Sequence, residues 1–168
     1  VSLLLEAVSV QTFPGIRINI QTDLLIGCGM GSSAAAVVSL LAALARYLQV
    51  TIAPDLFFNL AHQAENIQHG KSSGLDLQSS LQGGCLYFKE GQMIARTPST
   101  LSLYLINTGQ PQTNTGECIA AAATYFKNTQ IGNDFTAVTD AMDKALQANK
   151  LDGVVLAMRE NNKLLNTI

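Results

Sequence analysis

Between residues 54 and 70 the apolar positions Leu56, Leu60, Ala64 and Ile67 recur three and four apart, which predicts a helix with one apolar face. Pro54 marks its start and Gly70 offers its C-cap. Ser32 to Leu48 is almost continuously apolar and predicts a largely buried helix. Upstream, Val1 to Val8 reads as the end of a helix, Phe13-Pro14-Gly15 as a turn, and the alternation of Ile16, Ile18 and Ile20 as a strand. Downstream, a short helix from Leu75 to Leu81 leads into strands Cys85 to Lys89 and Gln92 to Arg96, joined through Glu90-Gly91. Leu101 to Asn107 predicts a further strand, followed by helices Asn114 to Phe126, Asp134 to Ala148 and Asp152 to Leu165. The break at Thr97-Pro98-Ser99-Thr100 predicts a domain seam, with residues 1–97 on one side and 98–168 on the other.

A chain of 168 residues with 48% hydrophobic content can bury a substantial core. The longest apolar run, Ala34 to Ala45, is about 12 residues against the roughly 20 that span a bilayer, so no membrane role is expected. The apolar N-terminus lacks the basic leader of a signal peptide. A net charge of −2 with scattered Lys and Arg gives no reason to expect nucleic acid as a partner. Cys28, Cys85 and Cys118 are odd in number and far apart, which favours a reducing cytoplasm over a disulfide framework or a zinc site.

The chemistry concentrates first in Gly27-Cys28-Gly29-Met30-Gly31-Ser32-Ser33, immediately before the buried helix. Alternate glycines allow positive φ and let an anion approach the backbone amides without meeting a Cβ. The helix that follows offers unpaired amides and a partial positive charge to a phosphate. Ser32 and Ser33 add hydroxyls able to bond phosphate oxygens or join a magnesium shell. A P-loop is excluded because no lysine stands beside Ser32, and a dinucleotide fingerprint because Gly31 follows Gly29 by two and no acid lies near Tyr47 to Val50. A plain turn with Ser32 or Ser33 as N-cap is the structural alternative.

The second constellation runs from Glu65 to Asp76: Glu65-Asn66-Ile67-Gln68-His69-Gly70-Lys71-Ser72-Ser73-Gly74-Leu75-Asp76. At 100° per residue Glu65 lies beside Ala61 at the margin of the apolar face, so it can turn inward. A carboxylate there needs a partner or a cation, which points to a metal. The alternatives are structural: Asp76 as the N3 member of a capping box with Ser73, Glu65 as a solvated edge residue, and His69 as a complement to the helix's negative end.

Together these segments resemble the mevalonate kinase family, in the superfamily that includes galactokinase, homoserine kinase and phosphomevalonate kinase. The family's Gly-Leu-Gly-Ser-Ser-Ala motif is similar to Gly29-Met30-Gly31-Ser32-Ser33-Ala34, and its glutamate followed by His-Gly-x-x-Ser-Gly-x-Asp to Glu65 with His69 through Asp76. Gly83-Gly84, Asn107-Thr108 and Asn114-Thr115 also fit. The resemblance implies an α+β GHMP kinase fold, with a ribosomal-S5-domain-2-like N-terminal domain and the start of a ferredoxin-like C-terminal domain. It implies ATP and Mg2+ as cofactors, mevalonate as the small-molecule substrate, and a homodimer in the cytoplasm. Gly27, Gly29, Met30, Gly31, Ser32, Ser33 and Ala34 would hold ATP, with Ser33 and Glu65 on the metal. His69, Gly70, Ser73, Gly74 and Thr115 would line the substrate, and Asp76 would accept or polarise the proton of its primary hydroxyl.

Leu25 stands where the family usually has a proline, and Met30 and Ser72 replace a common leucine and proline. The family's N-terminal Pro-Gly-Lys-type segment and its C-terminal glycine-rich segment have no counterpart here. The expectation is therefore the middle portion of a longer enzyme, with weak or absent turnover in the isolated chain. Two other readings stay open: another small-molecule kinase of the superfamily, acting on phosphomevalonate or homoserine, and a non-catalytic protein on the same fold. A Ser-His-Asp hydrolase is disfavoured because Ser32 and Ser33 lack the flanking glycines of a nucleophile elbow.

Overall fold

The structure, a computed structural model, describes residues 1–9, 15–24, 27–89, 92–102, 104–107, 109, 112–113, 115–127 and 129–168, with residues 115 and 129 described by backbone alone. Phe13 and Pro14 of the expected turn, Leu25, the Glu90-Gly91 connection, Thr108, Asn114 and the side chain of Thr115 lie outside the described residues. Helices and one two-stranded sheet make the chain α+β. It divides into two compact units, residues 1–83 with 108–112, and residues 84–107 with 113–168.

The first unit contains α1 (Ser2–Ala7), α2 (Ser32–Tyr47), α3 (Pro54–His69) and α4 (Leu75–Gln82). In α2, Ala34, Leu41 and Leu44 are buried, with Val37, Val38 and Leu48 packed beside them, so one stripe at three- and four-residue spacing forms the core face. Leu60 and Ala61 from α3, Leu77 from α4 and Leu4 from α1 close that core. Leu77 is fully enclosed, and cutting it back to alanine belongs to the class of change that costs about 2–5 kcal/mol.

The apolar face of α3 differs from the expected one. Ile67 is 77% exposed and Leu56 is exposed, whereas Leu60, Ala61 and Glu65 are buried. The buried stripe is not defined by apolar residues alone, because the inward line continues from Phe57 and Ala61 into Glu65, a carboxylate. Ser33 at the start of α2 bonds Glu65 near the end of α3, while residues 48–53 join the other two ends, so the chain doubles back between the two helices.

Helix α2 ends in a Schellman arrangement: the amide of Val50 donates to the carbonyl of Ala45 at 3.0 Å, and Gln49 takes φ of 55°. Left-handed backbone costs a residue with a Cβ roughly 1 kcal/mol. Gln49→Gly is therefore expected to raise stability by about 0.5–1 kcal/mol, read from the midpoint of denaturant unfolding.

The second unit contains β1 (Cys85–Lys89), β2 (Gln92–Arg96), α5 (Thr115–Ala122), a 3-10 turn (Tyr125–Lys127), α6 (Thr129–Gln147) and α7 (Leu151–Leu165). The strands pair antiparallel in the register Cys85 with Arg96 through Lys89 with Gln92. A lone hairpin is marginal in water, so its hold on a helix matters. Tyr87, Lys89 and Arg96 reach α6, where Asp140 and Asp143 stand three apart on one face. The Tyr87 hydroxyl donates to Asp140, Lys89 Nζ lies 2.9 Å from the same carboxylate, and Arg96 grips Asp143 through two bonds of 2.9 Å. The Arg96 guanidinium also sits 5.1 Å from the Tyr87 ring centroid. The bonds from Lys89 and Tyr87 hold the Asp140 carboxyl below the usual carboxylate range, and its carboxylate in turn pushes the Tyr87 phenol up. Helices α6 and α7 pack through Ala145, Val154 and Ala157, and a Cβ at Gly153 would meet Ala145 Cβ at 2.9 Å.

Several expected boundaries shift. The helix expected from Asp134 begins at Thr129, and the one expected to reach Phe126 ends at Ala122 before the 3-10 turn. Neither the strand expected over residues 16–20 nor that over 101–107 forms among the described residues. A strand exists through the ladder it shares with a neighbour, and no strand runs beside either segment among those residues. Tyr104, Leu105 and Ile106 accordingly lie 77–91% exposed. Among the described residues no helix is long and apolar enough to cross a membrane.

Candidate active site

All the glycines of the first motif adopt left-handed backbone, with φ of 77° at Gly27, 70° at Gly29 and 66° at Gly31. Gly31 itself is the N-cap of α2, in place of the serine expected as the alternative, and no side chain caps the helix. The first-turn amides of α2 therefore face an opening shaped by glycine, which favours an anion.

Ser33, in that first turn, points to the end of α3. Its hydroxyl donates to Glu65 Oε1 at 2.6 Å, a short bond to a carboxylate only 5% exposed. A hydroxyl has one proton, so its other neighbours must donate to it. His69 Nε2, at 3.2 Å from Ser33 Oγ, does so as an N–H and stands 3.8 Å from Glu65 Oε2. Gln68 Oε1 stands 3.1 Å from the same hydroxyl, and turning its amide over brings an N–H there instead. Glu65, Gln68 and His69 thus converge on Ser33 from one turn of α3.

Among the described residues no three His, Cys, Asp or Glu side chains are grouped to hold a metal alone. One carboxylate and one hydroxyl nonetheless suit magnesium, which takes few protein oxygens and completes its shell with phosphate oxygens and water. The donor set fits a metal that arrives with a nucleotide.

Asp76 occupies the second position of α4, whose N-cap is Gly74 in left-handed backbone with φ of 80°. The capping box with Ser73 is not formed; Ser73 Oγ instead accepts the Leu75 amide at 3.3 Å. Two turn bonds within the loop set α4 one residue later than a Ser73 cap would. Asp76 Cβ and Cγ lie 3.6 Å from where a Cβ on Gly31 would stand. The carboxylate and the glycine loop share a cleft of about 410 Å³ lined by Leu24, Gly29, Met30, Gly31, Ala35, Asp76, Ser79 and Ser80. A side chain at position 31 would enter the space beside Asp76.

The structure brings together Gly29, Met30 and Gly31 with Asp76, and Ser33 with Glu65 and His69. Gly70 ends α3 with φ of 78°, and Gly74 is buried beneath α3. Ser73 is exposed and turned to its own loop, and Thr115 belongs to the second unit. Sequence reasoning assigned no role to His62, Asn66 or Gln68. The signal available was spacing: positions 62 and 66 share one helix face, and 65, 68 and 69 another.

With this geometry in place, residues 1–84, half of the chain, match the family described as GHMP kinases N terminal domain, and the chain belongs to the GHMP kinases, a family of ATP-dependent kinases. Within that family it is similar to the mevalonate kinase of Pyrococcus abyssi, at 33% identity over 92 residues, or 55% of this chain and 27% of the relative. The mevalonate kinase of Archaeoglobus fulgidus is 32% identical over 113 residues, covering 67% of this chain and 38% of the relative. That of Bos taurus is 32% identical over 120 residues, covering 62% and 30%. The chain thus spans less than two fifths of the length of these relatives. No solved structure matches it.

Proposed function

We propose that this chain carries the nucleotide-phosphate and metal-binding core of a kinase that phosphorylates the primary hydroxyl of mevalonate, giving 5-phosphomevalonate and ADP in the intact protein. The observation that carries the reading is the 2.6 Å bond between Ser33 and Glu65 at the N-terminus of α2, in the same unit as the cleft where Asp76 meets Gly31. Gly29, Gly31 and the α2 amides bind the phosphates; Ser33 and Glu65 hold Mg2+; Asp76 takes or polarises the hydroxyl proton. Bound magnesium supplies neutralisation of charge on the phosphoryl oxygens.

Phosphoryl transfer asks chiefly for positioning and charge stabilisation, and the side chains here divide along those lines. Asp76 can orient the attacking oxygen, while Ser33 from α2 and Glu65 from α3 would hold the cation that accompanies the phosphates. His69 holds Ser33 toward Glu65. The domain division near residue 97 rests on the break at Thr97-Pro98-Ser99-Thr100, the cytoplasmic location on the odd and widely spaced cysteines, and the homodimer on the resemblance to the family.

The test is ADP release by the intact gene product with ATP, magnesium and, in turn, mevalonate, phosphomevalonate, homoserine and galactose. Turnover with mevalonate alone is the expected result. Turnover with another alcohol would reassign the substrate, and none from a folded protein would replace the kinase reading with a binding role.

A further inference from the structure

One stripe of α3, Phe58, His62 and Asn66, faces the loop that delivers Asp76, with Phe58 also packed against the margin of the core. Asn66 Oδ1 accepts the Ser72 amide at 2.7 Å. His62 Nε2 lies 2.9 Å from the Ser72 carbonyl; because a carbonyl only accepts, that nitrogen carries the proton. Both backbone groups of Ser72 are therefore gripped by residues one helical turn apart. Phe58 stacks on His62 with centroids 5.8 Å apart, and its Cζ stands 3.1 Å from where a Cβ on Gly74 would be. Within the loop, Ser72 Oγ accepts the Gly74 amide at 3.1 Å.

We propose that Phe58, His62 and Asn66 form a latch that fixes the 70–74 loop, and with it the first turn of α4, so that Asp76 is held against the glycine loop. They are positioning residues acting through Ser72 and Gly74, with no contact to the reacting atoms. The assignment of Asp76 as the group so positioned rests on the kinase reading above. Gly74 is the hinge of this arrangement: its left-handed backbone turns the chain into α4, and its lack of a Cβ lets Phe58 close on it.

Misplacing a reacting group by about 1 Å costs on the order of 100-fold in rate. In the intact gene product, Asn66→Leu, which removes the acceptor, and His62→Phe, which keeps the ring and removes the donor, are each expected to lower kcat about tenfold to 100-fold. KM for ATP should stay within about twofold, because the phosphate-binding segment is untouched. Asn66→Asp keeps an oxygen for the Ser72 amide and should retain most of kcat. Wild-type kcat in both disrupting variants, or equal loss in Asn66→Asp and Asn66→Leu, would overturn the latch.

Amide exchange separates this proposal from the kinase reading. Faster exchange at Ser72 and Gly74 in Asn66→Leu and His62→Phe, with protection kept in Asn66→Asp, supports the latch even if wild type turns over no mevalonate. Unchanged protection in all three rejects it, whatever the activity.

Discussion

Replacing Asp76 by asparagine in the intact gene product is expected to lower kcat for mevalonate about 10²- to 10⁴-fold, the range contributed by a positioned general base. The amide keeps the shape of the carboxylate but can neither take a proton nor present a full negative charge to the attacking hydroxyl. Asp76 is exposed and sits in the first turn of α4, where an acid contributes about 0.3–1 kcal/mol against the helix dipole. Asp76→Asn should therefore melt only slightly below wild type. Parallel measurement of ADP release and thermal unfolding checks both parts. An active variant would reduce Asp76 to a helix-terminus charge.

Glu65→Gln should have the second large effect, a loss on the order of 10³-fold in kcat/KM, equivalent to about 4 kcal/mol of transition-state stabilisation. Glutamine retains an oxygen for the Ser33 hydroxyl, so the packing at the α2–α3 contact survives. It also removes a buried charge, which without a bound cation is a burden on the fold. The metal-free variant is thus expected to be at least as stable as wild type while its magnesium dependence weakens. Activity and stability moving in opposite directions is the pattern of a group kept for function. Calorimetry in EDTA beside a magnesium titration of ADP release would show it, and wild-type magnesium dependence in the variant would remove Glu65 from the metal site.

The helices of the first unit were legible because their information is local. Pro54 and Gly70 bracket α3 as expected, and β1 and β2 have the bounds expected of two strands joined through Glu90-Gly91. Among the described residues, 16–20 and 101–107 form no strand, because local pattern reports a preference while a strand needs a partner that no local pattern supplies. The inward turn of Glu65 could be read from its angle beside Ala61, but not its partners, which come from a helix 32 residues away in sequence. His62 and Asn66 were silent for a related reason: a histidine and an asparagine on a helix carry no mark of what they face. Ile67 is largely exposed although apolar, since apolar character at helical spacing does not by itself dictate burial.

The last two turns of α3 hold one carboxylate directly, at Glu65, and the other indirectly, through Asn66 and Ser72 to α4. On the proposed reading, adjacent residues of a single helix serve as the common reference for both ends of the reaction. Drift of α3 along or about its axis is then a common-mode displacement: Glu65 and the loop leading to Asp76 travel together, and the gap between the proposed metal site and the proposed base changes far less than either position. The tolerance of the site is then set by the stiffness of one helix, and loosening the loop at Ser72 is the error that helix cannot cancel.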